Sequence, residues 1–359
     1  MRAKKIVAIL LAGVMSLSVL TGCSNIDKSA VIATTNEIDV TLGVANFFCH
    51  YDQAQYEDFY KSLLGTEDVW NADPYGTGST MAEMVLESAM NELHEMYTLK
   101  QNMDKYQVSL SEDEKKAIKD AAAKFMNDNS KKALKAMGAT SEIVEEVLEL
   151  YTIRVKMQDV IYAEADVNVS DAEANMRGYS QVVIRTDSHT DEEGNSVAYT
   201  DEEKEELKTK ANKVLSELSA EGATLKSVAE ANGLEVTSQT YATFEETSEE
   251  GEEDTEDEVV AALKKLKVGE NSGLIEKSNG YYFVCPENDT DKEATEKNRE
   301  SIIQSRKTSH YSEVLSGWQE DDEWDVNSKV LAKITFEQPF TTTDPNKQTE
   351  KTDSTESNN

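Results

Sequence analysis

Three cysteines (Cys23, Cys49 and Cys285) and four histidines (His50, His94, His189 and His310) are the side chains best suited to covalent or metal chemistry. A zinc site needs ligands at short, repeated spacings, and these histidines are scattered. There is no Gly-x-Ser-x-Gly elbow, no phosphate-binding loop and no His-Glu-x-x-His pair. Residues Glu245 to Glu258 hold ten acids among fourteen positions. They lack the D-x-[DN]-x-[DN]-G ladder of a calcium loop, so a solvated loop is the expectation. No metal and no cofactor is expected. Cys49 and Cys285 fall in segments assigned below to different domains, and read as two unpaired, buried thiols. Cys23 is different, because it closes an apolar leader.

That leader carries Arg2, Lys4 and Lys5, then an apolar run from Ile6 to Val19 that is short for a membrane span. Leu20-Thr21-Gly22-Cys23 resembles a bacterial lipobox. The resemblance implies that residues 1–22 are a lipoprotein signal peptide. It further implies that Cys23 receives a thioether-linked diacylglyceryl group, placing the chain outside the cytoplasm on the bacterial cell membrane. Two acyl chains suffice for stable anchoring. The formal net charge is −34 and becomes more negative once the leader's cations leave. Such a charge disfavours nucleic acid and anionic headgroups as partners.

Several elements must position whatever chemistry remains. Residues 23–30 read as a tether, and Val31–Thr35 with Ile38–Val40 as a hairpin or edge strand. Helical spacing starts at Thr41 with Val44, Phe47, Phe48 and Tyr51, and a loop spans Thr66–Thr80. Helices are then expected over Ser79–Tyr106, Ser111–Asn127, Ser130–Met137 and Ser141–Tyr162. Ser111-x-x-Glu114 is a capping box and Gly138 a C-cap. Met81, Met84, Met90, Met96 and Met103 either fill the core or line an adaptable binding groove, core filling being the simpler expectation. With almost no strands in 41–163, a two-lobed βαβ solute receptor is disfavoured.

Composition changes near Val167, and Ser170-x-x-Glu173 opens a new element. Tyr179–Arg185 reads as a strand, Thr186–Ala198 as a polar loop, and Thr200 as the cap of a helix to about Ala220. Thr224–Asn232 is a shorter helix, Leu234–Thr240 a strand and Val259–Leu266 a helix. Gly269-Glu270-Asn271 makes a turn, and Lys277-Ser278-Asn279-Gly280 joins two strands in a hairpin. Asp289 to Trp318 returns to helix, Asp325–Phe336 reads as extended, and the chain from Pro339 as disordered.

This pattern resembles the PrsA-type and SurA-type extracytoplasmic foldases, in which helical terminal segments surround a parvulin domain. The likeness rests on Tyr179–Ile184, on Gly222-Ala223-Thr224-Leu225, on Ala262, Leu266, Gly269 and Glu270, and on Gly280-Tyr281. It implies an α+β fold: a mostly helical chaperone lobe from 31–167 and 289–340, a parvulin-like domain inserted at 168–288, and a disordered tail at 341–359. It implies binding of unfolded or partly folded secreted polypeptides, and peptidyl-prolyl isomerase chemistry. The family's two histidine positions fall on Gln181 and Tyr282. Its pocket falls on Phe244, Val259 and Leu263, with Val259 in place of a phenylalanine and Thr255 near the position of a methionine. The alternative reading is a binding-only chaperone or structural lipoprotein whose parvulin domain has degenerated.

Overall fold

The structure is a computed structural model. It describes residues 14–17, 26–35, 38–191, 193–244, 257–337 and 340–343. Cys23, Thr255 and the acidic run up to residue 256 lie outside the described residues. The fold is α+β, and the chain divides into two compact units. One comprises residues up to Ala165 with those from Lys307 onward, and the other is Asp166–Arg306.

In the first unit the strands β1 (Val14–Leu17), β2 (Val31–Thr34) and β3 (Asp39–Thr41) precede five helices. These are α1 (Leu42–Leu64), α2 (Met81–Gln101), α3 (Glu112–Asp128), α4 (Lys131–Met137) and α5 (Ser141–Glu164). Their starts follow from side-chain caps. Thr41, Ser111, Ser130 and Thr140 each accept a backbone N–H of the first turn, and Ser111 with Glu114 closes a full capping box. Gly138 ends α4 at φ +69°, a left-handed conformation that glycine adopts without a Cβ penalty. Phe47, Phe48, Leu93, Met96, Phe125 and Leu150 are buried at the centre of the core. Met90 and Met96 are part of that core and Met81 packs against it, so the methionines act as filling.

The chain re-enters this unit along α10 (Lys292–Glu320), whose Tyr311 is buried and donates its hydroxyl to Glu95 Oε1 at 2.6 Å. Asp325–Phe336 is not extended throughout. After the two-residue strand β10 (Asp325–Val326), Asn327 caps the short helix α11 (Ser328–Leu331) by accepting the Val330 N–H. Strand β10 pairs with β2, and Ile334 and Phe336 return to the core. The tail expectation is corrected as well. Phe340–Thr343 form β11, antiparallel to β1, which lies inside the expected leader. The cause is local: a Phe-Thr-Thr-Thr run favours an extended chain, Phe340 is buried, and its N–H donates to Glu57 Oε2 at 3.0 Å.

The second unit opens with α6 (Asp171–Ala174), a single turn held by the Ser170–Glu173 capping box. Strand β4 (Met176–Arg185) follows, and the expected polar loop contains a small hairpin, β5 (Ser188–Thr190) with β6 (Ser196–Ala198). Helices α7 (Asp201–Leu218) and α8 (Leu225–Ala231), strand β7 (Thr237–Ala242), helix α9 (Glu258–Leu263) and strands β8 (Ile275–Lys277) and β9 (Gly280–Pro286) complete it. The sheet is antiparallel in the order β7-β4-β9-β8. The unit reaches beyond residue 288 because Arg299 and Arg306 on α10 bind back. Arg299 donates to Val169 O and pairs with Asp171 at 2.8 Å, and Arg306 pairs with Glu173.

Candidate functional site

Strand register decides where the candidate residues meet. Across β4 and β9, Gln181 lies opposite Val284 and Val183 opposite Tyr282. Side chains alternate along strands, so Gln181 and Tyr282 are diagonal neighbours on one face. Arg177 opposite Tyr241 and Tyr179 opposite Gln239 bring Tyr179 and Tyr241 to the same face. Helix α9 closes it with Val259 and Leu263, which form a cluster with Tyr179, Tyr241 and Val284. Gly280 lets the hairpin lie flat here. A Cβ at that position would fall 2.6 Å from the Ile184 carbonyl oxygen.

Four of the five described candidates thus share one face, and they differ in access. Val259 is 5% exposed and Leu263 0%, so both are packed core rather than an open wall. Gln181 and Tyr282 are half-buried. Phe244 follows the end of β7, is 46% exposed, and packs in none of the core clusters. Among the described residues, the fold therefore brings the polar positions together over a buried Val259 and Leu263, while Phe244 stays exposed and outside their cluster.

The electrostatics are those of a closed edge. Lys277 is ion-paired with Asp257 and lies 5.5 Å over the Tyr282 ring, while the Tyr282 hydroxyl donates to Asn279 Oδ1 at 3.1 Å. Burial would raise the Asp257 carboxyl, but the Lys277 hydrogen bond and the Val259 N–H at 2.8 Å hold it below the usual range. The same ion pair raises Lys277. Burial, then the Asp257 charge, raises the Tyr179 phenol. Each of these shifts runs away from neutrality, which suits an ion pair and a packed phenol, not a general acid–base couple.

Three residues that sequence reasoning passed over hold the site together. Arg177 donates to Leu263 O and Leu266 O, both at 3.1 Å, and to Asn288 O and the Tyr241 hydroxyl, both at 3.3 Å. It fastens the end of α9 to β4, and only its place at the head of an apolar strand could have hinted at this. Asp257 is the N-cap of α9 rather than one more acid of a solvated run. Ser272 is buried, donates its N–H to Val284 O at 2.8 Å and accepts the Val284 N–H on Oγ at 2.9 Å. Elsewhere Cys49 is buried, Cys285 is half-buried and both are free. Among the described residues no His, Cys, Asp and Glu cluster could hold a metal ion. Nor is any described helix long and apolar enough to cross a membrane.

The foldase protein PrsA of Clostridium perfringens is 27% identical over 198 residues, which cover 52% of this chain and 54% of that protein. The chain is similar to PrsA foldases. It spans about half the length of the curated relatives it matches. The crystal structure of PrsA from Lactococcus lactis matches at 15% identity, covering 86% of this chain and all of that one, with a TM-score of 0.34. A SurA-like chaperone structure from Campylobacter jejuni matches at 12% identity, 83% and 99% coverage and a TM-score of 0.28. No protein-family model matches the chain.

Proposed function

We propose that this chain is an extracytoplasmic foldase of the PrsA kind. In this reading it is tethered by acylated Cys23, it binds unfolded secreted polypeptides, and its unit 166–306 is a parvulin-like domain with weak isomerase activity. The observation that carries the reading is the single sheet face on which Gln181 and Tyr282 meet while Val259 and Leu263 stay buried beneath. Similarity to a protein named as a foldase supports it.

Rotation about an X–Pro bond meets a barrier of about 18–20 kcal/mol from amide resonance. A non-covalent isomerase lowers it by holding the twisted amide better than the planar one in a dry apolar pocket. Gln181 and Tyr282 can donate hydrogen bonds to a peptide, as imidazoles would. Buried aliphatic side chains offer a proline ring nothing to grip. The same burial favours the second reading, a binding-only chaperone in which the sheet unit is structural.

Chain binding is tested by the aggregation of a thermally unfolding client poor in proline. The expected result is suppression at near-equimolar protein, and unaltered aggregation would remove the foldase reading in both forms. The anchor is tested separately. Exported Cys23→Ala should move from the membrane to the soluble fraction, and unchanged partitioning would refute it.

A further inference from the structure

In the first unit, a cavity of about 470 Å³ opens between α1, α2 and α5. Its walls are aromatic: Tyr51, Tyr56, Tyr60, Trp70 and Tyr151 line it together with Asp52. Tyr56 and Tyr60 lie 6.1 Å apart, and Tyr60 meets Trp70 edge-on at 6.2 Å. Glu92 and Arg154 add two further charges to the lining. Arg154 pairs with Glu92 and lies 5.0 Å over the Tyr151 ring. One built-in cation is thus already held as an aromatic box holds one, by a π face and a carboxylate.

The count of charges is unequal. Two carboxylates, Asp52 and Glu92, share the cavity with the single guanidinium of Arg154. Glu92 has that guanidinium as its partner. Among the described residues Asp52 has no ion pair or hydrogen bond, although it sits close enough to Glu92 and Arg154 to feel both charges. A partly buried carboxylate without a partner is costly to keep ionised. The aromatic faces around it are the surfaces that attract a cation, and the volume is that of a ligand pocket.

We propose that this cavity binds a lysine or arginine side chain of an extended client polypeptide, with Asp52 as the anion and Tyr56, Tyr60 and Trp70 as the π walls. The proposal rests on the chain-binding reading above and names what that binding selects. It gives the strongly acidic chain a specific use for its charge, since a net anionic pocket discriminates basic from neutral segments of otherwise similar shape.

Ionisation adds a pH signature. Burial, then the neighbouring Glu92, pushes the Asp52 carboxyl up to about 7, against the opposing charge of Arg154. The titratable groups facing it are Tyr51, Tyr56 and Tyr60 of α1, Glu92 of α2, and Tyr151 and Arg154 of α5. Burial raises the Tyr51, Tyr60 and Tyr151 phenols, so they stay neutral as Asp52 titrates.

The test uses the purified chain and two fluorescein-labelled nonapeptides that differ only at the centre, lysine against norleucine. At about pH 8 the lysine peptide should bind about tenfold more tightly, and the preference should shrink as the pH falls through about 7. Asp52→Asn, an isosteric change, should bring the two affinities together. Tyr56→Ala, at a half-exposed position that the fold does not need, should lower the preference about threefold. Equal affinities in the unaltered protein, or a preference that survives Asp52→Asn, would overturn the proposal. Client aggregation followed in parallel separates the two readings. Equal affinities with aggregation still suppressed would remove the cation pocket alone. Absence of binding with unchecked aggregation would remove both.

Discussion

The two faces of the sheet in residues 166–306 come from the same strands and are closed in different ways. Toward α7 and α8, Val182, Ile184, Phe283, Val214 and Leu225 make a continuous apolar layer. Toward α9 the cluster is Tyr179, Tyr241, Val259, Leu263 and Val284, bordered by Arg177 and by the Asp257–Lys277 pair. The first face is held by area removed from water and the second by donors placed against carbonyls. One face secures the fold, and the other presents Gln181 and Tyr282 at the cost of depending on a few polar contacts.

The largest expected effect lies on the apolar face. Phe283 is fully buried, so Phe283→Ala should lower unfolding stability by about 3–5 kcal/mol in denaturant melts. A loss below about 1 kcal/mol would erase the contrast between the faces. Next is Arg177→Met, which keeps the aliphatic stem and removes the donors to Leu263 O, Leu266 O and Asn288 O. About 2–3 kcal/mol should go, and hydrogen exchange should quicken first in α9.

Val259→Phe restores the aromatic residue that the parvulin resemblance expects. Because Val259 is already packed, the larger ring should overfill the cluster and cost about 1–3 kcal/mol without raising isomerase activity. A stable, more active variant would show that the α9 face opens in solution. The smallest effect belongs to the cap. Asp257→Ala should cost about 1 kcal/mol near neutral pH. Its carboxyl is held low in the folded chain, so this contribution is present above about pH 4 and fades as the pH falls below it. Melts of both proteins at about pH 7 and about pH 3 would show the difference closing.

Much of this architecture is legible in the chain because its helix starts are local. Ser111, Ser170 and Thr200 each precede an acid three residues on, and each closes a capping box. The box at Thr80 with Glu83 lies where the expected loop and the expected helix overlap, and it starts the helix two residues after Ser79. Strand β7 begins later than the apolar Leu234 and Val236 suggest. It is an edge strand of mostly polar residues that only Tyr241 ties to the core. Residues 325–336 look extended by composition, yet the Asn327 cap turns Ser328–Leu331 into a short helix. For the candidate face, the β8–β9 hairpin was readable from Asn279-Gly280, whereas the meeting of Gln181 and Tyr282 rests on the β4–β9 register, which no local turn sets. The burial of Val259 and Leu263 was not readable either, since it depends on Arg177 reaching carbonyls more than eighty residues away.

The proposed function requires that chain binding persist while proline-bond catalysis is slight. The direct measurement is the refolding of a proline-limited client with the protein at about one tenth of the client concentration. Aggregation of a second client, not limited by proline, is followed alongside. The predicted result is a refolding rate raised by less than about twofold together with clear suppression of aggregation. Acceleration of about tenfold or more, equivalent to about 1.4 kcal/mol at the transition state, would contradict it. In that case Gln181 and Tyr282 would serve the twisted amide as well as histidines do.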